Sequence, residues 1–195
     1  MQRIVRVAGG IKTYLSSPTC LVNSETRRCP FCPDGHRLRI HGWYHRFALL
    51  PGSQEACRIA VLRLLCPRQG RTVSLLPDFC LPRRQHGPGL LGLFLAALLN
   101  GSSLLKALQR ARSGGAPGHS VAQVLLKAFL ARRHHLQAYL AGLRTRAVEV
   151  APAVPEARRP LAQLVLGLLE GFPDVISAFE HHARHFHHRF QIGLA

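Results

Sequence analysis

Cys29-Pro30-Phe31-Cys32 and, after 33 intervening residues, Cys66-Pro67-Arg68-Gln69-Gly70-Arg71-Thr72 are the two segments whose reading decides the fold. Two cysteines separated by two residues on a tight turn can aim both sulfurs at one ion. A second such turn completes a tetrahedron of the kind that holds Zn²⁺. Here the second turn offers one cysteine, Cys66, and places Gln69 where its partner would stand. Cys29, Cys32 and Cys66 are therefore read as three thiolate ligands. The fourth is left open among Gln69, Cys80 and His36, with His41 and Cys57 as further substitutes. An amide oxygen is a poor zinc ligand beside thiolates. His36 lies close to the first turn, and Cys80 lies one short strand beyond the second.

Outward from these turns the chain alternates. Residues 36–49 place basic or aromatic side chains between apolar ones, as an extended arm does, and Pro51-Gly52-Ser53 signals a turn. From residue 57 to 65, Ile59, Val61, Arg63 and Leu65 fall on one face and Arg58, Ala60, Leu62 and Leu64 on the other, a strand packed on both sides. A third strand is expected over 72–76. Residues 29–82 thus read as a small three-stranded antiparallel zinc-ribbon-like domain. Residues 1–28 read as an N-terminal extension, with a short strand around Ile4, Val5 and Val7.

The charge is uneven. The chain carries 26 Lys and Arg against 9 Asp and Glu. Residues 1–88 are net +10, residues 89–148 are net +8 with no carboxylate, and residues 149–195 are net −1. A field of that sign in the first two segments suits a polyanion. The longest apolar run, residues 90–99, is too short to cross a bilayer, which needs about 20 residues, and no membrane partner is expected. Six cysteines, two of them as CxxC, favour metal over disulfides, with a cytoplasmic setting.

Beyond a basic linker at 83–88, helical periodicity predicts helices over 89–99, 103–112 and from Ser120 past His135 to Leu143. Three helices with a basic last member match a helix-turn-helix, in which the third helix enters the major groove. Residues 89–148 are read as that domain. Gln123 and Lys127, with Arg132 and Arg133, are its reading and clamping side chains. In the ribbon, Arg37, Arg39, Arg46, Arg63, Arg68 and Arg71 are candidate phosphate contacts, as are Arg83 and Arg84 in the linker. Trp43 reads as a residue of the ribbon's small core. A Pro-rich linker, 149–160, precedes a C-terminal helical pair over 161–190. The histidines His181, His182, His185, His187 and His188 read as the polar end of a surface helix.

Cys29-Pro30-x-Cys32, His41-Gly42-x-Tyr44-x-Arg46, Arg63-x-x-Cys66 and Arg71-Thr72-x-Ser74-Leu75-Leu76-Pro77-Asp78-Phe79 together resemble the zinc-ribbon head of an uncharacterised bacterial family related to insertion-element transposases. The resemblance covers residues 25–140. It implies a ribbon followed by a helix-turn-helix, in a bacterial protein that is nucleoid-associated when bound to DNA. Gln69 departs from it, standing where that family supplies a fourth cysteine.

The resulting expectation is an α+β chain that binds one Zn²⁺ and grips double-stranded DNA without catalysis. A second copy or a transposase subunit is the protein partner implied. Catalysis by a transposase needs three converging carboxylates, and most of the nine acidic residues lie singly in turns or in the tail. The alternative is a zinc-ribbon protein–protein interaction module, or a degenerate mobile-element remnant without DNA binding.

Overall fold

A computed structural model describes residues 1–50, 56–112, 119–143 and 154–190. The turn expected at Pro51-Gly52-Ser53, the break at 113–118 and residues 149–153 of the 149–160 linker lie outside the described residues, as does the His188 side chain.

Three alternating segments form antiparallel strands as their periodicity requires: Arg39–Ala48, Cys57–Leu65 and Thr72–Pro77. A fourth strand, Gln2–Val5, pairs parallel with the last of these, from Gln2 opposite Ser74 to Val5 opposite Pro77. In chain order the strands are β1 (Gln2–Val5), β2 (Arg39–Ala48), β3 (Cys57–Leu65) and β4 (Thr72–Pro77), and their order in the sheet is β1-β4-β3-β2. The fold is α+β with a mixed four-stranded sheet, where the sequence pattern suggested three antiparallel strands. Backbone chemistry explains the addition. β4 is buried through Pro77, so its second edge needs partners for its peptide groups, and β1 supplies them. Residues 1–28 are therefore part of the sheet layer and not an appended extension.

The crossover from β1 passes through α1 (Gly10–Ser16) and a 3₁₀ turn at Pro18–Leu21. Tyr14 of α1 is fully buried, donates its hydroxyl to the Ala60 carbonyl and meets the Phe79 ring edge-on at 5.5 Å. On β3, Ile59, Val61, Leu62 and Leu64 are all fully buried, so both faces of this strand are packed. Each such side chain contributes about 1.5–3 kcal/mol.

The helical layer is built on α2 (Pro88–Leu99), which is apolar all round and therefore buried on nearly every side. Around it lie α3 (Leu104–Arg112), α4 (His119–Leu130), α5 (Arg133–Gly142), α6 (Arg159–Leu169) and α7 (Val175–Phe190). The expected third helix is broken at Ala131-Arg132, where Arg132 turns back to donate to the Ala128 carbonyl at 2.8 Å. α2 packs most closely on α7. A Cβ at Gly92 would come within 2.7 Å of the Phe179 ring and 2.9 Å of Val175. Phe179, Ala183 and Phe186 of α7 share one core with Phe94, Leu108, Phe129 and Leu136. α6 and α7 are thus built into the same body as α2–α5, not a separate C-terminal pair.

The two layers are tied at several points. Leu49 and Leu81 belong to the helical core, and Asp78 lies 3.7 Å from Arg184 of α7. His187 on α7 pairs its Nε2 with the Gln2 carbonyl at 3.1 Å. The basic 83–88 segment is pinned, with the Gly87 N–H donating to the Leu49 carbonyl. Among the described residues no helix is long and apolar enough to cross a membrane.

Candidate metal centre

The first turn is shaped by its own main chain. The Phe31 N–H donates to the Cys29 sulfur at 3.4 Å, and the Gly35 N–H to the Cys32 carbonyl at 3.0 Å. Gly35 takes φ +57°, a left-handed conformation that glycine adopts at no steric cost. That turn brings the chain back so that the Cys29 N–H donates to the His36 carbonyl at 2.8 Å. His36 is thereby aimed at the same point as the two cysteines before it.

The second turn follows β3. The Cys66 N–H bonds the Arg71 carbonyl at 2.8 Å and the Gly70 N–H bonds the Cys66 carbonyl at 2.9 Å, with Gly70 at φ +63°. Burial raises the Cys66 thiol, but the Gln69 N–H, His36, Cys29 and the Arg68 N–H outweigh it and hold the thiol at about 6. Burial and contact with the Cys66 and Cys29 sulfurs push Cys32 up to about 11. Three thiols this close cannot all ionise unless a cation joins them.

Cys29, Cys32, His36 and Cys66 place one ligand atom each within 4.8 Å of one another. The Cys32 and Cys66 sulfurs are 3.8 Å apart, and His36 Nε2 lies 3.4 Å from the Cys66 sulfur. A tetrahedral ion with metal–sulfur bonds of about 2.3 Å has sulfur–sulfur edges of about 3.8 Å and sulfur–nitrogen edges of about 3.6 Å. The four side chains fit one metal ion.

The fourth side chain gathered with the three cysteines is His36, the one of the alternatives left open by the sequence that lies within reach of the same ion. Gln69 keeps the turn through its main-chain N–H, while its side chain donates to the Phe31 carbonyl at 3.4 Å. Cys80 is buried in the sheet core, where burial pushes its thiol up to about 12. His41 is exposed on β2, and Cys57 sits opposite Ala48 near the far end of the hairpin. The signal for His36 was present in the run Cys29-x₂-Cys32-x₃-His36, which supplies three ligands from one turn.

Two further braces join the turns. Arg68 pairs with Asp34 at 2.7 Å, and the Arg71 guanidinium lies over the Phe31 ring at 4.3 Å. Both arginines remain exposed, as do Arg37, Arg39, Arg63 and Arg83. Arg63 sits over the Tyr44 ring and reaches the Thr72 hydroxyl. Arg46 is different. It is half-buried and donates to the Leu81 and Arg84 carbonyls, so it fastens the 81–84 segment and does not face solvent. Arg84 is also half-buried. On the helical side Gln123, Lys127 and Arg133 are exposed, whereas Arg132 is half-buried against its own helix. Among the described residues, Arg37, Arg39, Arg63 and Arg71 have no carboxylate partner.

Two sequence readings change. Trp43 is 42% exposed on β2 and is not a core residue. In α7, His182 and His187 are buried. His182 Nδ1 pairs with the Tyr139 hydroxyl at 2.9 Å. The face of that helix end carrying His182 and His187 is an interior packing surface, while His185 is exposed.

A scan against protein-family models, a search of curated proteins and a search of solved structures each return no significant match.

Proposed function

We propose that this chain is a non-catalytic, zinc-stabilised protein that grips double-stranded DNA with the basic rim of its metal clasp and the exposed basic side of α4–α5. The observation that carries the reading is the set of solvent-facing arginines around the clasp that have no carboxylate partner among the described residues: Arg37, Arg39, Arg63 and Arg71. Of these, Arg63 is held against Tyr44 and the Thr72 hydroxyl and Arg71 against Phe31, so they lose less freedom when they bind phosphate. On the helical layer Lys127 and Arg133 add exposed cations and Gln123 an exposed amide.

Three thiolates and one imidazole are the donor set of a structural zinc site. Four protein ligands fill a tetrahedron and leave no position for water or substrate, which supports a structural role for the ion. A relation to mobile-element proteins, as a binder of DNA, is part of the proposal, and the motif resemblance over residues 25–140 supports it.

The test is duplex binding as a function of salt. Neutralising four or more phosphates gives a slope of log K against log salt of roughly −4 or steeper. Replacing Arg37 and Arg39 together by Ala is expected to reduce that slope by about 2. No duplex affinity at low salt ends the proposal.

A further inference from the structure

On the β2–β3 hairpin, register assigns faces. Trp43 pairs with Leu62, His45 with Ala60 and Phe47 with Arg58, so these six side chains share one face of the sheet. The register shift between Ile40 and Gly42 puts Ile40, opposite Leu64, on that face too. Leu62 and Leu64, one strand inward, are fully buried. Ile40, Trp43 and Phe47 are 54%, 42% and 53% exposed. The cover over this face therefore stops at β2, and the edge strand presents a row of rings, Trp43, His45 and Phe47, to solvent.

We infer that this row is a stacking platform for unpaired bases of a single-stranded nucleic acid. Its spacing carries the inference. Side chains two residues apart on a strand are about 6.7 Å apart, and stacked bases are about 3.4 Å apart. One base therefore fits between Trp43 and His45 and a second between His45 and Phe47. Every base has a π-face, so such a platform tolerates sequence. Charge selects the same ligand. Arg58 stands beside Phe47 on this face, and between Asp34 and Asp78 the chain's single carboxylate is Glu55. A protein partner without acidic side chains gains nothing from that cationic surround, whereas a phosphate backbone carries a negative charge at every nucleotide. The inference rests on the nucleic-acid reading above and deepens it: Arg58, on the same face as the rings, holds the backbone and the rings hold bases wherever the strands are parted, while Arg39 and Arg63 lie on the other face of the sheet.

Trp43 is the chain's single tryptophan, so its fluorescence reports the platform directly. Titration of the full chain with an unstructured oligothymidylate is expected to quench that emission saturably. A blunt duplex of equal length is expected to bind without comparable quenching. Phe47→Ala should weaken oligothymidylate binding about 5- to 100-fold, the loss of one base–ring stack, with the salt slope and duplex affinity unchanged. Arg58→Ala should instead lower the single-strand salt slope by about 1. Duplex binding with a steep salt slope but no quenching by oligothymidylate overturns the platform and leaves the wider reading standing. Loss of both kinds of binding removes the two together. A Trp43 signal that follows protein concentration without nucleic acid shows a second copy on β2 and also overturns it.

Discussion

The metal clasp and the end of α7 are made of similar donor side chains, yet they behave in opposite ways. At the clasp, three cysteines and a histidine from two separate turns bring their ligand atoms within 4.8 Å of one another. On α7 the described histidines 181, 182, 185 and 187 sit on one helix, and among the described residues no three of them gather their ring nitrogens as the clasp gathers its ligand atoms. His182 bonds Tyr139 and His187 the Gln2 carbonyl, while the His181 and His185 rings lie 4.4 Å apart. A helix spreads consecutive side chains around its axis, so density of ligand-type residues in one helix does not concentrate them in space. Two turns facing each other do. Convergence from separate segments distinguishes a candidate site from a composition bias.

The largest test of this contrast removes a ligand from each region. Cys66→Ser is expected to reduce bound zinc from about one equivalent to less than about a tenth and to lower Tm by roughly 10 °C, because the binding free energy of a structural ion is folding free energy. His36→Ala should behave similarly. The double variant His181→Ala, His185→Ala should leave the zinc content of purified protein unchanged, as read by mass spectrometry. Zinc that follows the α7 histidines instead would erase the contrast.

The second test is pH. Burial, with His181 and His185 nearby, lowers His182 to about 4. Its folded-state value lies below its ordinary 6.5, so between those values the unfolded chain binds the extra proton. Stability from this group is full above pH 6.5 and is lost as pH falls toward 4. Glu180, raised to about 7 by burial and then by Asp78 and Asp174, has the opposite sign: its contribution is present below 4.5 and is lost as pH rises through 7. The unfolding free energy from urea titrations should therefore fall on the acid side by about 3 kcal/mol for His182. The basic-side loss from Glu180 should be about 1 kcal/mol after solvent screening. His182→Gln should flatten the acid limb and Glu180→Gln the basic one. An unaltered acid limb in His182→Gln would mean that α7 is not an interior surface.

The smallest expected effect is at Gln69. Gln69→Ala should keep the zinc stoichiometry and change affinity in a chelator competition by less than about tenfold, since only the outer hydrogen bond to Phe31 is lost. A loss as large as that of His36→Ala would return Gln69 to the ligand set.

Much of the fold was legible in local pattern. The alternation of residues 57–65 gave a strand buried on both faces, and the periodicity of α2, α3, α6 and α7 gave those helices. Cys29, Cys32 and Cys66 were legible from spacing. What escaped depends on contacts distant in sequence. Nothing in Gln2–Val5 announces that its partner is β4, because a parallel pair has no connecting turn to signal it. The break at Ala131-Arg132 lies in a segment of good helix formers. Trp43 was read as core because alternation identifies a face without identifying what covers it. His182 was read as surface for the converse reason, since Tyr139, its partner, lies 43 residues away.

The irregularity between Ile40 and Gly42 has a consequence for solubility. A sheet of order β1-β4-β3-β2 has two rims. One is closed by a four-residue strand with α7 packed against it. The other is the ten-residue β2, long enough to recruit the same strand from another molecule and grow a continuous ribbon. The interrupted ladder at His41 and the exposed Arg39 beside it twist and charge that rim near the clasp. The strand left open to solvent is thereby a poor template for self-assembly.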